Sequence, residues 1–97
     1  MKYPTTTELT AELRAERVQL ARLHGTEDED GPVACDVRLQ VTGDGWGVHT
    51  GDPSYDLDHR GAWGYGTLYA DESDAGLEAL ARDLLGEAEE NEARGNV

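Results

Sequence analysis

Apolar residues recur at helical spacing between Thr5 and His24. Leu9, Leu13, Leu20 and Leu23, with Val18 nearby, fall on one face of a helix. Thr5 followed by Glu8 is a capping-box pair, in which hydroxyl and carboxylate each take up a backbone N–H that the first turn leaves free. Glu8, Glu12 and Glu16 come early while Arg14, Arg17 and Arg22 come later, an order that suits the helix dipole. Gly25 is the expected stop. Thr26 to Pro32 (TEDEDGP) then reads as an acidic linker, because four adjacent carboxylates repel one another and Gly-Pro breaks regular structure.

From Val33 to Thr42 the period changes to two. Val33, Cys35, Val37, Leu39 and Val41 share one face; Asp36, Arg38 and Gln40 share the other, as in a half-buried strand. Gly43-Asp44-Gly45 supplies positions that tolerate positive φ, so a hairpin is expected. Trp46 to Thr50 returns as its second strand, with Trp46, Val48 and Thr50 inward and His49 outward. Gly51 to Gly64 lacks a period and reads as a long loop. Tyr65 to Tyr69 reads as a third strand, with Tyr65, Thr67 and Tyr69 on one face and Leu68 on the other, although its glycines weaken the pattern. Helical spacing resumes from Ser73 to about Glu90, where Leu77, Leu80, Ala81, Leu84 and Ala88 form a stripe. Ser73 is the expected N-cap and Asp74 sits in the first turn. Residues 91–97 read as a loose tail.

This order predicts a single α+β domain over residues 1–97. An N-terminal and a C-terminal helix pack on one face of a short antiparallel sheet of two or three strands. The chain has no Phe, and its hydrophobic content is 37%. Leu, Val, Ala and a few aromatics must therefore make the core, with Trp46 and Trp63 inside it. The single cysteine, Cys35, excludes an intrachain disulfide. No stretch approaches the roughly 20 apolar residues needed to span a bilayer, and MKYPTTTELTAELRAER lacks the apolar segment of a signal peptide. A cytosolic location is expected.

The formal charge of −13 adds a functional constraint. It opposes direct binding to nucleic acid or to an anionic membrane and favours a basic partner. Arg far outnumbers Lys and Gly is frequent, so a GC-rich or salt-adapted source offers a second explanation of the acidity. The charge is uneven. Asp71, Glu72, Asp74, Glu78, Asp83, Glu87, Glu89, Glu90 and Glu92 line the second helix and its flanks. Carboxylates at i and i+4 stand about 6 Å apart along a helix axis. That is close to the separation of neighbouring phosphates on a nucleic-acid strand, so an acidic helix can present a phosphate-like row to a basic groove.

Residues Ser54 to Gly66 (SYDLDHRGAWGYG) concentrate the other candidate chemistry. Asp56, Asp58 and Gly61 fall at positions one, three and six of a calcium-loop pattern. Arg60 at the fifth position and Thr67 at the twelfth break it. Asp52, Asp56, Asp58 and His59 are oxygen and nitrogen donors, but no pair of His or Cys has zinc-ligand spacing. Cys35–His49 and Ser54–His59 are the candidate nucleophile–base pairs. Strand parity separates the first, and the second lacks a G-x-S-x-G elbow. Phosphate-binding glycine loops are absent. Trp63, Tyr55, Tyr65 and Arg60 are residue types enriched at binding hot spots. The expectation for this stretch is an organised loop in which Trp63 and one Tyr anchor to the core. His59 and Arg60 then bond to Asp56, Asp58 or the loop backbone.

The run from His49 to Gly64 resembles a pattern in small bacterial and phage-type proteins, G-D-x-x-Y-D-x-D-H-R-G-x-W-G. Here it is carried by Gly51, Asp52, Tyr55, Asp56, Asp58, His59, Arg60, Gly61, Trp63 and Gly64. The resemblance carries no activity and no site residue. In size and acidity the chain is also similar to phage-encoded inhibitors, including anti-CRISPR proteins that occupy a nucleic-acid site. The combined expectation is a small, acidic, non-catalytic binding protein that needs no cofactor or metal. As an inhibitor or adaptor, it docks the basic surface of a nucleic-acid-binding partner through Asp71, Glu72, Asp74, Glu78, Asp83, Glu87 and Glu90. The alternatives are a metal- or ligand-binding domain using Asp56, Asp58, His59, Arg60 and Trp63, and a housekeeping protein whose charge serves solubility.

Overall fold

Thr5 caps the first helix as its side chain dictates. Its hydroxyl accepts the Glu8 N–H at 3.0 Å, and the Glu8 carboxylate accepts the Thr5 N–H at 2.9 Å. Helix α1 spans Thr6–His24. The structure, a computed structural model, describes residues 2–51 and 60–95. The acidic run after α1 is ordered as a small ribbon rather than a linker. Glu27–Asp28 (β1) pairs antiparallel with Gly31–Pro32 (β2), and Gly31, at φ 113, makes the return that an L side chain would strain. The repelling carboxylates are all exposed, where water screens them.

Ala34–Thr42 forms β3, the centre of a three-stranded sheet among the described residues. A two-residue turn at Gly43-Asp44 leads into β4 (Gly45–Thr50), as the turn residues predict. The chain then crosses to the other side of β3, where Ala62–Tyr69 forms β5. Both neighbours are antiparallel to β3. Leu39 stands opposite Val48 and Gly64, and Arg38 opposite His49 and Tyr65. The third strand is therefore longer than Tyr65 to Tyr69, and its parity is as predicted. Ser73 accepts the Gly76 N–H at 3.0 Å and opens α2, Asp74–Ala93. The loose tail expected from residue 91 begins later. Asn91 is helical, and its amide donates to the Trp63 carbonyl at 2.6 Å.

The glycines that weaken β5 as a sequence pattern are what seat α2 on it. A methyl at Gly64 would lie 2.1 Å from the Leu84 carbonyl oxygen, and one at Gly66 would lie 2.7 Å from a Leu80 methyl. The α2 backbone thus rests directly on β5. This close approach buries Leu77, Ala81, Leu84 and Ala88 against Val37, Leu39, Val41 and Leu68. Trp46 and Val48, half buried, close the β4 side of this core.

Helices α1 and α2 run antiparallel, because Arg14 and Arg17 reach Asp74 at the start of α2 while Tyr3 reaches Glu92 near its end. The apolar face of α1 is only partly used. Leu9 and Leu13 are fully buried, but Val18 is 46% and Leu23 65% exposed. Beyond Arg17 the helix runs past the start of α2 and has less to pack on. Among the described residues, no helix is long and apolar enough to cross a membrane.

Gly64→Ala should destabilise the fold by about 3 kcal/mol, near the upper end of overpacking costs, since a backbone carbonyl cannot swing aside. Gly47→Ala, whose nearest neighbour would be His49 Nε2 at 3.9 Å, should cost about 0.5 kcal/mol or less. Urea unfolding of both variants checks the contrast. The backbone bond from Thr5, followed by its hydroxyl's bond, holds the Glu8 carboxyl below its ordinary value of 4.5. A lowered carboxyl pKa stabilises fully above the unfolded value, and the gain fades as pH falls through the folded value. Wild type should therefore lose stability relative to Glu8→Gln as pH drops below about 4.5, with the two curves parallel above it. Thermal unfolding across that range reads the difference.

Candidate functional site

The polar face of β3 is not solvated as alternation alone predicts. Arg38 is 4% and Gln40 8% exposed. Register explains their company. Arg38 lies between His49 and Tyr65, and Gln40 between Gly47 and Trp63, all on the sheet face away from the helices. Trp63 is 8% exposed. Its ring stacks on Tyr65 (centroids 6.2 Å apart, planes at 19°) and tilts against His49 (5.5 Å, 40°). Trp63 is inside the protein, as predicted, but it anchors to this second face and not to the helix-side core.

Polar groups of this face hold both approaches to the segment between β4 and β5. Gln40 Nε2 donates to the Arg60 carbonyl at 2.7 Å. Gln40 Oε1 lies 3.1 Å from His49 Nε2, which therefore carries the proton of that bond. Arg38 Nη1 donates to the Gly51 carbonyl at 3.0 Å. Arg38 Nε is fully enclosed and has no acceptor among the described residues. Among the described residues no carboxylate comes within 4.0 Å of this guanidinium. Arg38 and Gln40 were not singled out by sequence reasoning, and His49 only as a candidate base for Cys35. The available signal was their shared parity with Trp63 and Tyr65, which puts one long polar row beside two aromatics.

Asp56, Asp58 and His59, and with them Asp52, Ser54 and Tyr55, lie outside the described residues. Arg60 is exposed. Among the described residues, no group of three or more His, Cys, Asp or Glu side chains is placed to hold a metal ion.

The acidic residues do not form one row. Asp71 and Glu72 sit in the turn between β5 and α2, where the Glu72 carbonyl accepts from Arg17 at 2.7 Å. Asp74 takes bonds from Arg14 at 3.5 Å and Arg17 at 3.2 Å, and Glu78 lines the same cleft between the helices. Asp83, Glu87 and Glu90 fall on the opposite flank of α2, because residues three, four and seven apart share a helix face. That flank overhangs the outer edge of β5. Glu87 accepts the Tyr65 N–H there at 3.3 Å, beside the bond from Asn91 to the Trp63 carbonyl. These two side chains occupy main-chain groups that an edge strand would otherwise offer to another chain. Glu90 pairs with Arg94.

Cys35 points to the helix side and His49 to the opposite face, so the two do not meet, as strand parity predicts. Cys35 lines a cavity of about 180 Å³ beneath the free half of α1, with Glu16, Leu20 and Leu23. Burial, then the charges of Glu16 and Asp36, push its thiol above the ordinary value of 9.0. A thiol in that setting is a poor nucleophile at neutral pH.

The chain matches no protein-family model, no curated protein and no solved structure.

Alkylation of Cys35 by iodoacetamide should be slow at neutral pH and reach half its limiting rate above pH 9.0. A midpoint below that value would show that the environment activates the thiol. Glu16→Gln should move the midpoint down, because it removes one of the charges that oppose the thiolate.

Proposed function

We propose that this protein is a small, non-catalytic binding protein that docks a basic protein surface, as an inhibitor or adaptor acting on a nucleic-acid-binding partner. The observation that carries the reading is the grouping of Asp83, Glu87 and Glu90 on one flank of α2, away from the arginines of α1. Their axial separations are about 6 and 4.5 Å, a compact row of negative charge on a rigid helix. The net charge of −13 draws such a surface toward a basic groove and repels free nucleic acid. Asp74 belongs to the α1–α2 contact, so it supports the fold more than the docking. Glu87 serves both the row and the β5 edge.

Immobilised protein incubated with lysate of its source cells, at low and high salt, tests the reading. A nucleic-acid-binding protein should be retained at low salt, released at high salt and displaced by duplex DNA or RNA. Replacing Asp83 by Asn and Glu90 by Gln leaves the Tyr65 bond to Glu87 intact. Affinity for the retained partner should fall about fivefold, the product of two exposed charge pairs near 0.5 kcal/mol each. Unchanged affinity and unchanged salt dependence in that double variant would reject the docking row.

A further inference from the structure

Alternation along β5 sorts its main-chain groups into two sets. The Ala70 N–H, which continues the even-numbered set, bonds to the Val33 carbonyl at 2.9 Å, while the Tyr65 N–H turns outward to Glu87 at 3.3 Å. Trp63, Tyr65, Thr67 and Tyr69 therefore direct their N–H and C=O groups away from β3, along the outer edge of the sheet. The two ends of that edge are closed. Asn91 covers the Trp63 carbonyl, Glu87 covers the Tyr65 N–H, and the Glu72 N–H bonds to the Tyr69 carbonyl at 3.1 Å. Between these ends the Tyr65 carbonyl, both groups of Thr67 and the Tyr69 N–H take no bond among the described residues. Tyr65, Thr67 and Tyr69 are all exposed. An open run on an edge strand is a template to which an extended chain can add.

The chemistry around this run selects its occupant. Asp36 stands opposite Thr67 on β3, exposed on the sheet face away from the helices. Asp83 lies one turn before Glu87, on the flank of α2 that overhangs the same edge, and Asp71 follows the end of β5. Among the described residues none of these carboxylates takes a hydrogen bond or an ion pair. Arg38, the cation of the outer face, is enclosed and bonds to Gly51 at the end of β4, away from this edge. An added strand places alternate side chains on the two faces of the sheet. On the helix side they meet Asp83 and Leu80, and on the other side Tyr65, Thr67 and Tyr69. Arginine and lysine suit both settings, because their heads pair with carboxylates and their stems lie along apolar or aromatic surface. A second copy of this chain brings the same acidic surface, with a net charge of −13, to the contact.

We propose that the outer edge of β5, from Tyr65 to Tyr69, receives an extended arginine- or lysine-rich segment of the partner as an added strand of the sheet. The inference rests on the basic partner proposed above and adds how that partner is held. Main-chain bonds to Thr67 hold the segment, and Asp36, Asp83 and Asp71 select its charge.

The test uses the ¹⁵N-labelled 97-residue chain and two end-capped heptapeptides of alternating arginine and valine, one of them N-methylated at every peptide nitrogen. The two carry the same charge, but the methylated peptide has no N–H to offer a strand. In the free protein the Thr67 amide should exchange with solvent faster than those of Gly66 and Leu68, which face β3. Saturation with the unmethylated peptide should slow Thr67 exchange at least about fivefold, and that peptide should bind at least about fivefold more tightly than the methylated one, as expected when a main-chain bond is made. Thr67→Pro removes only an outward-facing N–H and should fold while losing affinity by a similar factor. A Thr67 amide already slow in the free protein overturns the open edge, and this arm needs no variant. Equal affinity for the two peptides overturns the added strand while leaving the docking of a basic surface standing. A glutamate–valine peptide bound as tightly overturns the choice of a basic segment. A dimer in sedimentation equilibrium that Thr67→Pro abolishes overturns the partner in favour of a second copy.

Discussion

Everything on the helix side of this protein depends on how closely α2 approaches β5. The core has no Phe, and its α2 layer includes Ala81 and Ala88 beside Leu77 and Leu84. Small side chains fill an interface only when the backbones come near each other. Gly64 and Gly66 make that possible, since the Leu84 carbonyl occupies the space a side chain at 64 would need. The same approach lets Glu87 and Asn91 lean over the strand and bond to its outer main-chain groups. One contact thus sets the depth of the core, protects a sheet edge and fixes which flank of α2 carries Asp83, Glu87 and Glu90.

With the helices gathered on one face, the other face is left to a polar and aromatic layer. Trp63, Tyr65 and His49 supply the apolar area, and Arg38 and Gln40 supply donors and acceptors. Gln40 is well matched, with its amide bonded on both sides. Arg38 is matched less fully: among the described residues its enclosed Nε has no acceptor, against the general satisfaction of buried polar groups.

The acidity of the chain is divided by the fold into different tasks. Asp74 joins α1 to α2 through two arginines. Glu8 closes the cap of α1, and Glu92 receives the Tyr3 hydroxyl, whose pKa is pushed well up by burial and by that carboxylate. Among the described residues, the acids without such a bond include Asp83 on the β5 side of α2 and Glu29 and Asp30 at the turn of the exposed β1–β2 ribbon. Counting acids along the chain overstates the charge left free on the surface, because several of them bond within the molecule.

The sequence by itself determined the class of fold. Two helical stripes, a clean alternation from Val33 to Val41 and a Gly-Asp-Gly turn specify their elements through local spacing. The caps at Thr5 and Ser73 are local as well. Parity along β3 also separated Cys35 from His49 and placed Arg38 and Gln40 opposite the core. Tertiary structure decided what depends on contacts distant in sequence. Residues 62 to 64 join β5 by pairing with Leu39 to Val41, while local pattern reads them as loop; Gly64 then admits α2. The outer face of β3 is buried because β5 brings Trp63 beside Gln40, twenty-three residues away along the chain. Helical spacing puts the acids of α2 on two flanks, and tertiary structure decides that Arg14 and Arg17 of α1 take the one carrying Asp74. Spacing along a chain records which side chains share a face; which faces are covered is set by the surfaces that meet them.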